Sequence, residues 1–388
     1  MAKILQIIPS LDQINGGVER GTIDVAKELI NSGFESFILS SGGDMAEKYK
    51  YKGVRHFELN IKRKGVLNYL LLKNKFLNIL EEINPDIIHI RSRWPAFCFN
   101  RIVKSHRIPL VTTYHGTYSG SNFFLKRRYN GVMTQGDKVI TISKFIDDHV
   151  RFHFPLVKSN LVQINRGIDS NYFNLEAVTE KRKENVLSKF TLSENSHVIL
   201  LPARITSWKG HLIAIEAANL ISKMKPDLNF VILFVGSEDE KKNFSSVLEK
   251  RIKKLHLDNR IIFCGNLNDM PAVYSIADIV LSTSIQPEAF GRVSAEASSM
   301  TKPVISSNHG GSREIIENGM TGWLVEPSNP QKLAEKILEV LGLSQEKKDS
   351  VGLNARRRVA EKFSLKEMLK QTMKVYEDLL STKENINY

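Results

Sequence analysis

Short apolar runs alternate with helical patterns through the first half of the chain. The runs are nearly continuously apolar, which is typical of strands buried on both faces of a parallel sheet. Strands are predicted at residues 3–9, 35–41, 54–60, 86–91, 110–114, 138–142 and 160–164. Apolar positions three and four residues apart predict helices between them, at residues 18–31, 66–82, 96–104 and 144–152.

The same alternation begins again after residues 171–196, a polar and weakly periodic stretch that we interpret as a linker region with some helix. Strands are predicted at residues 197–202, 229–235, 260–264, 279–282, 303–306 and 323–325. Helices are predicted at residues 209–223, 239–255, 270–277, 291–300, 312–318 and 330–341. Two amphipathic, charged helical stretches follow, at residues 346–362 and 365–380.

Two such series indicate two α/β domains, which we place at residues 1–168 and 169–364. Buried strands separated by helices form parallel, doubly wound sheets with helices on both faces. In this architecture ligands bind at the carboxyl ends of the strands. Two domains that face each other would form a cleft between those ends, so functional residues are expected in the strand-end loops.

The composition agrees with this organisation. A chain of 388 residues is too long for one ordinary hydrophobic core, and no apolar run reaches the roughly 18 residues of a transmembrane helix. The apolar start is too short for a signal peptide and suits a first strand. Cys98 and Cys264 lie far apart in the sequence, which argues against a disulfide framework and favours the cytoplasm. No Cys/His group has the spacing of a zinc site.

The positive charge is concentrated in the first half of the chain. Of the net charge of +13, residues 1–166 carry 25 Lys and Arg against 14 Asp and Glu, or +11. The excess includes 62–64, 126–128 and Arg151. It is either a solubilising face or an attraction to an anionic partner: lipid head groups, a phosphorylated glycan or nucleic acid. Nucleic acid ranks last because no nucleic-acid motif accompanies the charge.

Residues 284–297 hold the most informative chemistry. Glu288 and Glu296 stand eight positions apart, and a loop turns into a helix between them. A helix start offers backbone N–H groups and a partial positive charge to an anion. Carboxylates repel phosphate but accept hydrogen bonds from hydroxyls. The two features together suit a molecule with phosphates at one place and polyols on either side, such as a nucleotide-sugar.

Three other strand-end loops carry candidate residues. Gly16 and Gly17 follow the first strand, where they either form a simple tight turn or let the backbone approach an anion. Arg204 and Lys209 follow the first strand of the second series, and as fixed cations near a helix start they suit a diphosphate unless they are ordinary surface residues. His115 follows a strand of the first domain and either reaches a cleft or is a loop histidine.

Two glycine-containing turns complete the set. Residues 307–312 end a strand and open a helix, with Ser312 as the expected N-cap and glycines that would admit a sugar close to the backbone. Residues 165–169 close the first series as an interdomain turn, where Gly167 and Asp169 are interpreted as structural.

In their order along the chain, the motifs resemble those of the retaining glycosyltransferases of family 4, which have the GT-B fold of two facing Rossmann-like domains. The matching motifs are GGVER, TYHG, NRGID, PARITSWKG, QPEAFGRVSAEA and NHGGSREIIENGMTGWLVEP, spanning residues 16–327. The resemblance implies that the last helix, residues 365–388, crosses back to the first domain. PEAFGRV and TYHGTYSG are similar to bacterial cell-envelope transferases, including those of the lipopolysaccharide core. One departure is Arg166, which separates the Asn-Gly pair of the usual interdomain turn.

The resemblance also implies roles for individual residues around the nucleotide-sugar. Glu296 would bind the ribose hydroxyls, Glu288 the hydroxyls of the donor sugar, and His115 the same sugar. Arg204 and Lys209 would neutralise the diphosphate as it leaves. The backbone or side chains of the remaining candidates would line the donor, at the sugar, the diphosphate or the base: Gly16, Gly17, Leu267, Phe290, Gly291, Arg292 and Val293.

The expected reaction is therefore transfer of a sugar from a nucleoside-diphosphate sugar, with UDP favoured, to a glycan or lipid-linked acceptor. No cofactor or metal is expected, because cations and helix-terminal amides can stabilise the leaving group. Retention of configuration is implied by the resemblance alone. Two alternatives remain: a nucleotide-sugar epimerase of the same fold, and an inert nucleotide-sugar-binding subunit. Contact with the inner face of the cytoplasmic membrane would explain the basic first domain.

Overall fold

The fold is that of a computed structural model, which describes residues 1–12, 17–49, 53–63, 65–118, 123–190, 195–238 and 244–386. The chain divides into two compact units: Met1–Asn165 with Lys366–Tyr388, and Arg166–Leu365. The division falls three residues before the sequence-based boundary at 168, and the last helix belongs to the first unit.

All thirteen predicted strands are found within the described ranges, each within two residues of its predicted ends. They are β1 Lys3–Ile7, β2 Glu35–Ser40, β3 Arg55–Glu58, β4 Ile87–Ile90, β5 Leu110–Tyr114, β6 Lys138–Thr141, β7 Leu161–Gln163, β8 His197–Pro202, β9 Phe230–Val235, β10 Ile261–Gly265, β11 Ile279–Ser282, β12 Val304–Ser307 and β13 Trp323–Val325. The central strands β4, β5, β9 and β11 are buried at every position, as continuous apolar runs predict.

Helices separate most of the strands. They are α1 Gly17–Asn31, α2 Asp44–Tyr49, α3 Val66–Ile83, α4 Arg93–Ser105, α5 Phe124–Asn130, α6 Lys144–His153, α7 Glu180–Leu187, α8 His211–Met224, α9 Phe244–Lys254, α10 Met270–Ser275, α11 Arg292–Ser299, α12 Ser312–Ile315, α13 Pro330–Leu341, α14 Gln345–Lys362 and α15 Leu365–Ile386. The short helices α2 and α5 were not predicted, since one or two turns show no clear periodicity. The predicted linker region contains α7.

Helix α4 begins three residues earlier than predicted. Pro95 lies in its first turn, where the amide of any residue lacks an intrahelical partner, so proline is tolerated there. The helix consequently begins two residues after Arg91, directly behind β4.

Both sheets are parallel in every pairing and are wound in the same way. The first unit has the order β3-β2-β1-β4-β5-β6-β7, and the second has β10-β9-β8-β11-β12-β13. In each sheet the strand order reverses direction beside the first strand of the series, between β1 and β4 and between β8 and β11. Such a topological switch point is where ligands bind in open α/β sheets. The doubly wound α/β prediction is confirmed.

Helix α15 packs on the sheet of the first unit. Its residues Met373, Val375, Tyr376 and Leu379 share a buried cluster with residues of β1, β4, β5 and β6. A buried polar contact accompanies them: the hydroxyl of Tyr376 hydrogen-bonds His89 Nδ1. The end of the chain therefore completes the core of the unit in which the chain begins.

Two further features concern the whole chain. Cys98 and Cys264 are free thiols in different units. Among the described residues, no helix combines the length and apolar character needed to cross a membrane.

Candidate functional site

Three loops of the second unit converge beside its switch point. They follow β8, β11 and β12, at residues 203–210, 283–291 and 308–311. Gly210 has φ +81, and a Cβ there would lie 1.9 Å from the carbonyl oxygen of Thr283. The amide of Ile285 donates to the carbonyl of Trp208 at 2.8 Å. The loops after β8 and β11 therefore touch through their backbones, and only glycine permits the closest approach.

A buried ion pair joins these two loops. Lys209 Nζ donates to Glu288 Oε1 at 2.7 Å, and the two side chains are only 15% and 11% exposed. The hydroxyl of Ser284 donates to the same oxygen. The Lys209 ammonium also lies 4.1 Å from the ring centroid of Trp208, a cation–π contact. Both hydrogen bonds end on Oε1, so the lone pairs of Oε2 can accept from a hydroxyl.

The charge state of Glu288 is set by this pair. Burial raises the pKa of Glu288, but the Lys209 ammonium and the Ser284 hydroxyl outweigh burial, and the net pKa lies below its usual value. Glu288 is therefore a carboxylate at neutral pH, suited to accept hydrogen bonds rather than to donate a proton.

Glu296 is held by a second set of contacts on the first turns of α11. Its Oε1 accepts from Arg292 Nε at 2.6 Å, and its Oε2 accepts from the hydroxyl of Tyr274 at 2.8 Å. The side chain of Glu296 is 8% exposed. Burial and the neighbouring carboxylate raise the pKa of Tyr274 well above its usual value, so its hydroxyl remains a donor. Each carboxylate oxygen retains a lone pair for a further donor.

The start of α11 lies between the two carboxylates. Gly291 occupies the N-cap with φ +90 and offers no side-chain cap. Arg292 and Val293 occupy the first helical positions, whose N–H groups have no intrahelical acceptor. A helix start of this kind favours an anion. The order carboxylate, helix start, carboxylate that the sequence predicts is therefore present in the folded chain.

The glycines after β12 allow two loops of the second unit to approach each other closely. A Cβ at Gly310 would lie 2.5 Å from the carbonyl oxygen of Glu288, and one at Gly311 would lie 2.4 Å from that of Phe290. The missing side chains therefore admit the loop after β11, and contact of this backbone with a sugar stays a prediction. Ser312 was expected to cap α12; it is instead the first helical residue, and Gly311 holds the N-cap.

The remaining donor-side candidates lie in the loops after β8, β11 and β10. Arg204 follows β8, is exposed, and makes no hydrogen bond or ion pair with another described residue. Phe290 is buried and packs edge-on against Phe363, with ring centroids 5.9 Å apart. Leu267 is buried behind the outermost strand β10.

The first unit places its candidates at the carboxyl edge of its own sheet. His115 directly follows β5 and is half-buried, and Gly17 begins α1 after β1. Gly16 lies outside the described residues. The sequence-based interpretation missed Arg93, which follows β4 and lies with its guanidinium 3.9 Å from the ring centroid of Tyr118. Position alone could have found Arg93, because it stands just behind a buried strand at the switch point.

Four residues around the second-unit site were also missed: Trp208, Tyr274, Ser284 and His309. His309 follows β12, and its electrostatic influence is the smallest of those that lower the pKa of Glu288. Neither ring nitrogen of His309 has a hydrogen-bond partner in the described part of the chain. Of the four, Tyr274 left no signal in the sequence, since it lies within a helix and is indistinguishable from a core aromatic. Within the described ranges, no group of three or more His, Cys, Asp and Glu could hold a metal ion.

Comparisons with known proteins identify the family of the chain. A family model described as Glycosyltransferase Family 4 matches residues 15–172, and one described as Glycosyl transferases group 1 matches residues 182–358. The crystal structure of a glycosyltransferase from Rickettsia africae ESF-5 is 36% identical, with a TM-score of 0.88 and 98% of each chain covered.

Two further relatives cover nearly the whole chain. The N-acetyl-alpha-D-glucosaminyl L-malate synthase of Bacillus anthracis is 26% identical over 374 residues, which are 93% of this chain and 94% of that protein. The structure of Anabaena Alr3699/HepE in complex with UDP-glucose has a TM-score of 0.81 at 23% identity and covers 97% and 100% of the two chains. The two family models and the Rickettsia structure together show that the chain belongs to family 4 of the glycosyltransferases and has their GT-B fold.

Proposed function

We propose that the protein transfers a sugar from a UDP-sugar to a hydroxyl of a glycan or lipid-linked acceptor, with retention of configuration and without a metal. The observation that carries the proposal is the arrangement at the second-unit switch point. There the Lys209–Glu288 pair, the start of α11 and the anchored Glu296 follow one another from the loop after β11 into the helix. A nucleotide-sugar presents hydroxyls, a diphosphate and hydroxyls in the same order.

Glu296 would bind the ribose. Its two oxygens are already fixed by Arg292 and Tyr274, so the carboxylate is oriented before the ligand arrives. A preorganised acceptor loses less freedom on binding than a mobile one. Leu267, which follows β10, would lie beside the base.

The diphosphate would lie at the start of α11, near Arg204. The charge of Lys209 is already paired with Glu288, and that of Arg292 with Glu296. Arg204 therefore supplies the uncompensated charge among these cations, and the amides of α11 add their dipoles. Charge that develops on the leaving nucleotide would be stabilised by groups held in place beforehand, and such stabilisation provides most of the rate enhancement in many enzymes.

Glu288 would orient the transferred sugar through Oε2. It is ionised, so it would accept from a sugar hydroxyl and would not act as the general acid. The acceptor hydroxyl would attack from the face that the nucleotide leaves, and the departing phosphate would take its proton. No protein side chain is assigned as the general base.

The decisive experiment measures nucleotide release with and without an acceptor glycan. Thermal shifts with UDP-, GDP- and ADP-sugars first select the donor, because a ligand that binds only the native state raises stability by RT ln(1+[L]/Kd). We expect a shift with a UDP-sugar, and UDP release that depends on acceptor. Conversion of the donor to its epimer without acceptor would identify an epimerase instead, and binding with neither reaction would identify an inert subunit.

Variants test the leaving-group assignment. Arg204→Ala removes an exposed cation without disturbing a described contact, so the fold should persist. We expect kcat to fall by roughly 10- to 100-fold, since one charge-assisted contact to the leaving group contributes about 1.5–3 kcal/mol. Activity that persists in EDTA would support the metal-free mechanism. Wild-type kcat in Arg204→Ala would refute the role of this residue.

The acceptor proposal extends to the cell envelope. The PEAFGRV and TYHGTYSG motifs resemble transferases of envelope polysaccharides and of the lipopolysaccharide core, and the first unit is strongly basic. An anionic acceptor in the cytoplasm, or one held at the inner face of the membrane, would match that charge. Transfer to envelope-derived acceptor lipids, but not to neutral oligosaccharides, is the expected result.

A further inference from the structure

The first unit exposes three large apolar side chains in succession at the beginning of α5. Phe123, Phe124 and Leu125 are 67%, 76% and 77% exposed. Single exposed apolar residues are normal in globular proteins, but contiguous ones mark interaction surfaces. These three contribute nothing to the cores of the unit.

A second group of exposed apolar side chains lies at the end of α6 and in the turn that follows it. Phe152 is 80% exposed and Leu156 is 96% exposed. The two groups are neighbours, because Arg127 Nη2 donates to the carbonyl oxygen of His153 at 2.7 Å and its guanidinium lies 5.9 Å from the Phe154 ring centroid. Residues 123–128 and 151–156 thus form one surface, which we call the α5–α6 surface.

Basic side chains are interleaved with the apolar ones. Lys126, Arg127 and Arg128 are all exposed on α5. Arg151 adds a fourth cation, although Asp147 pairs with it one turn earlier. From residue 87 to residue 136 the chain has eight Lys and Arg and no Asp or Glu. The field around the α5–α6 surface is therefore positive.

We propose that the α5–α6 surface docks on an anionic lipid membrane. The aromatic and leucine side chains would enter the boundary between head groups and acyl chains, and the cations would lie at the lipid phosphates. Apolar residues and cations on one surface match that interface in both respects. A second copy of the chain would bring the same positive charge and be repelled. The inference goes beyond sugar transfer and does not depend on it.

The test is co-sedimentation of the full chain with vesicles, without donor or acceptor. Vesicles of phosphatidylcholine alone are compared with vesicles in which a third of the lipid is phosphatidylglycerol. We expect binding to the anionic vesicles only, weakening as salt screens the charges. Equal binding to both vesicle types, or to neither, would overturn the proposal.

Two variants separate the apolar and the charged contributions. Phe123→Ser/Phe124→Ser/Leu125→Ser is expected to weaken binding by more than about tenfold, because it removes the inserted groups. Lys126→Gln/Arg128→Gln is expected to weaken it by roughly 25-fold, since each of the two cations near an anionic surface contributes about fivefold. Arg127 is left in place because it joins α5 to α6. All five positions are exposed, so thermal unfolding should change little.

Matched controls lie on the second unit. Met320→Ser/Leu353→Ser replaces side chains that are 61% and 58% exposed, and Lys250→Gln/Lys253→Gln removes the same net charge from α9. Both controls should bind within about twofold of wild type. If Lys250→Gln/Lys253→Gln lost as much vesicle binding as Lys126→Gln/Arg128→Gln, the attraction would depend on net charge alone, and the proposal for the α5–α6 surface would be overturned. Binding of the chain to an acidic protein, without binding to vesicles, would also overturn the proposal.

Insertion is observed directly with a fluorophore at Phe124→Cys. Its emission should shift to the blue with anionic vesicles, whereas the same label at Met320→Cys should not respond. The native thiols interfere little, because burial raises the pKa of both Cys98 and Cys264 to about 12. Equal responses at the two labelled positions would contradict docking through α5.

Discussion

Replacing Lys209 by Met leaves a buried carboxylate without its cation. Glu288 is 11% exposed, and Lys209 Nζ lies 2.7 Å from its Oε1. At an effective dielectric constant of about 20, the gross Coulomb attraction at this separation is roughly 6 kcal/mol. Removing one partner of a buried pair costs about 3–5 kcal/mol. Ser284 still donates to Oε1, so we expect Lys209→Met to lower the free energy of unfolding by about 3 kcal/mol.

The loss should be partly recovered when the carboxylate is also neutralised. In Lys209→Met/Glu288→Gln no charge remains buried, so the double variant should be more stable than Lys209→Met by about 1–2 kcal/mol. Glu288→Gln alone should cost only about 1 kcal/mol, because the amide oxygen of Gln still accepts from the Lys209 ammonium, which also keeps its contact with Trp208. The coupling energy from the cycle is then about 2–3 kcal/mol.

The pH dependence gives a second, independent readout. In wild type the pKa of Glu288 is lowered, so the stability it contributes is present above the unfolded pKa of 4.5 and declines as pH falls through the folded pKa. Without Lys209, burial is no longer outweighed and the folded pKa of Glu288 rises. The folded variant then binds a proton more readily, and its deficit relative to wild type should shrink as the pH is lowered from neutrality towards 4.5.

Urea unfolding of the full chain, followed by circular dichroism and by tryptophan fluorescence, supplies the free energies. Lys332→Met is the matched control, because Lys332 pairs with Glu335 on the surface and both side chains are more than 40% exposed. That substitution should cost less than about 0.5 kcal/mol. Single-variant effects that add within about 0.5 kcal/mol in the double variant would refute the reasoning, since the two groups would then not interact in the folded state.

Three further predictions concern the same unit. Tyr274→Phe removes one of the two side-chain donors to Glu296 while keeping the buried ring; we expect the Kd for the UDP-sugar to rise about three- to tenfold, with little change in kcat, by calorimetry and steady-state kinetics. Gly210→Ala would place a methyl carbon 1.9 Å from a backbone oxygen at φ +81 and should cost more than about 2 kcal/mol of stability, whereas Gly265→Ala, at φ +62 with open space around it, should cost about 1 kcal/mol. Burial lowers the pKa of His211 from 6.5 to about 4, so the unfolded chain takes up this proton at a higher pH than the folded chain does. The contribution of His211 to stability is therefore complete above about pH 6.5, and the free energy of unfolding should fall by up to about 1.4 kcal/mol per pH unit down to about pH 4. In urea titrations, His211→Phe should reduce this slope.

The architecture of each unit follows from the sequence alone. A strand buried on both faces must be apolar at nearly every position, so β4, β5 and β9 could be recognised from their own residues. The carboxyl ends of such strands share one edge of a sheet, which selected the loops that contain Lys209 and Glu288. Short elements escaped prediction, as α5 did, because a helix of two turns has too few positions to show a period.

Which of these groups touch is visible only in the folded chain. Lys209 and Glu288 are 79 residues apart, and the residues next to either one do not indicate that the Glu288 carboxylate pairs with the Lys209 ammonium. The same holds for Tyr274, whose hydroxyl reaches Glu296 from another helix, and for Gly310, whose missing side chain admits a neighbouring loop. Local sequence determines the favoured backbone conformation and the face of each helix or strand that is buried. Contacts between loops depend instead on the packing of the whole sheet and its helices.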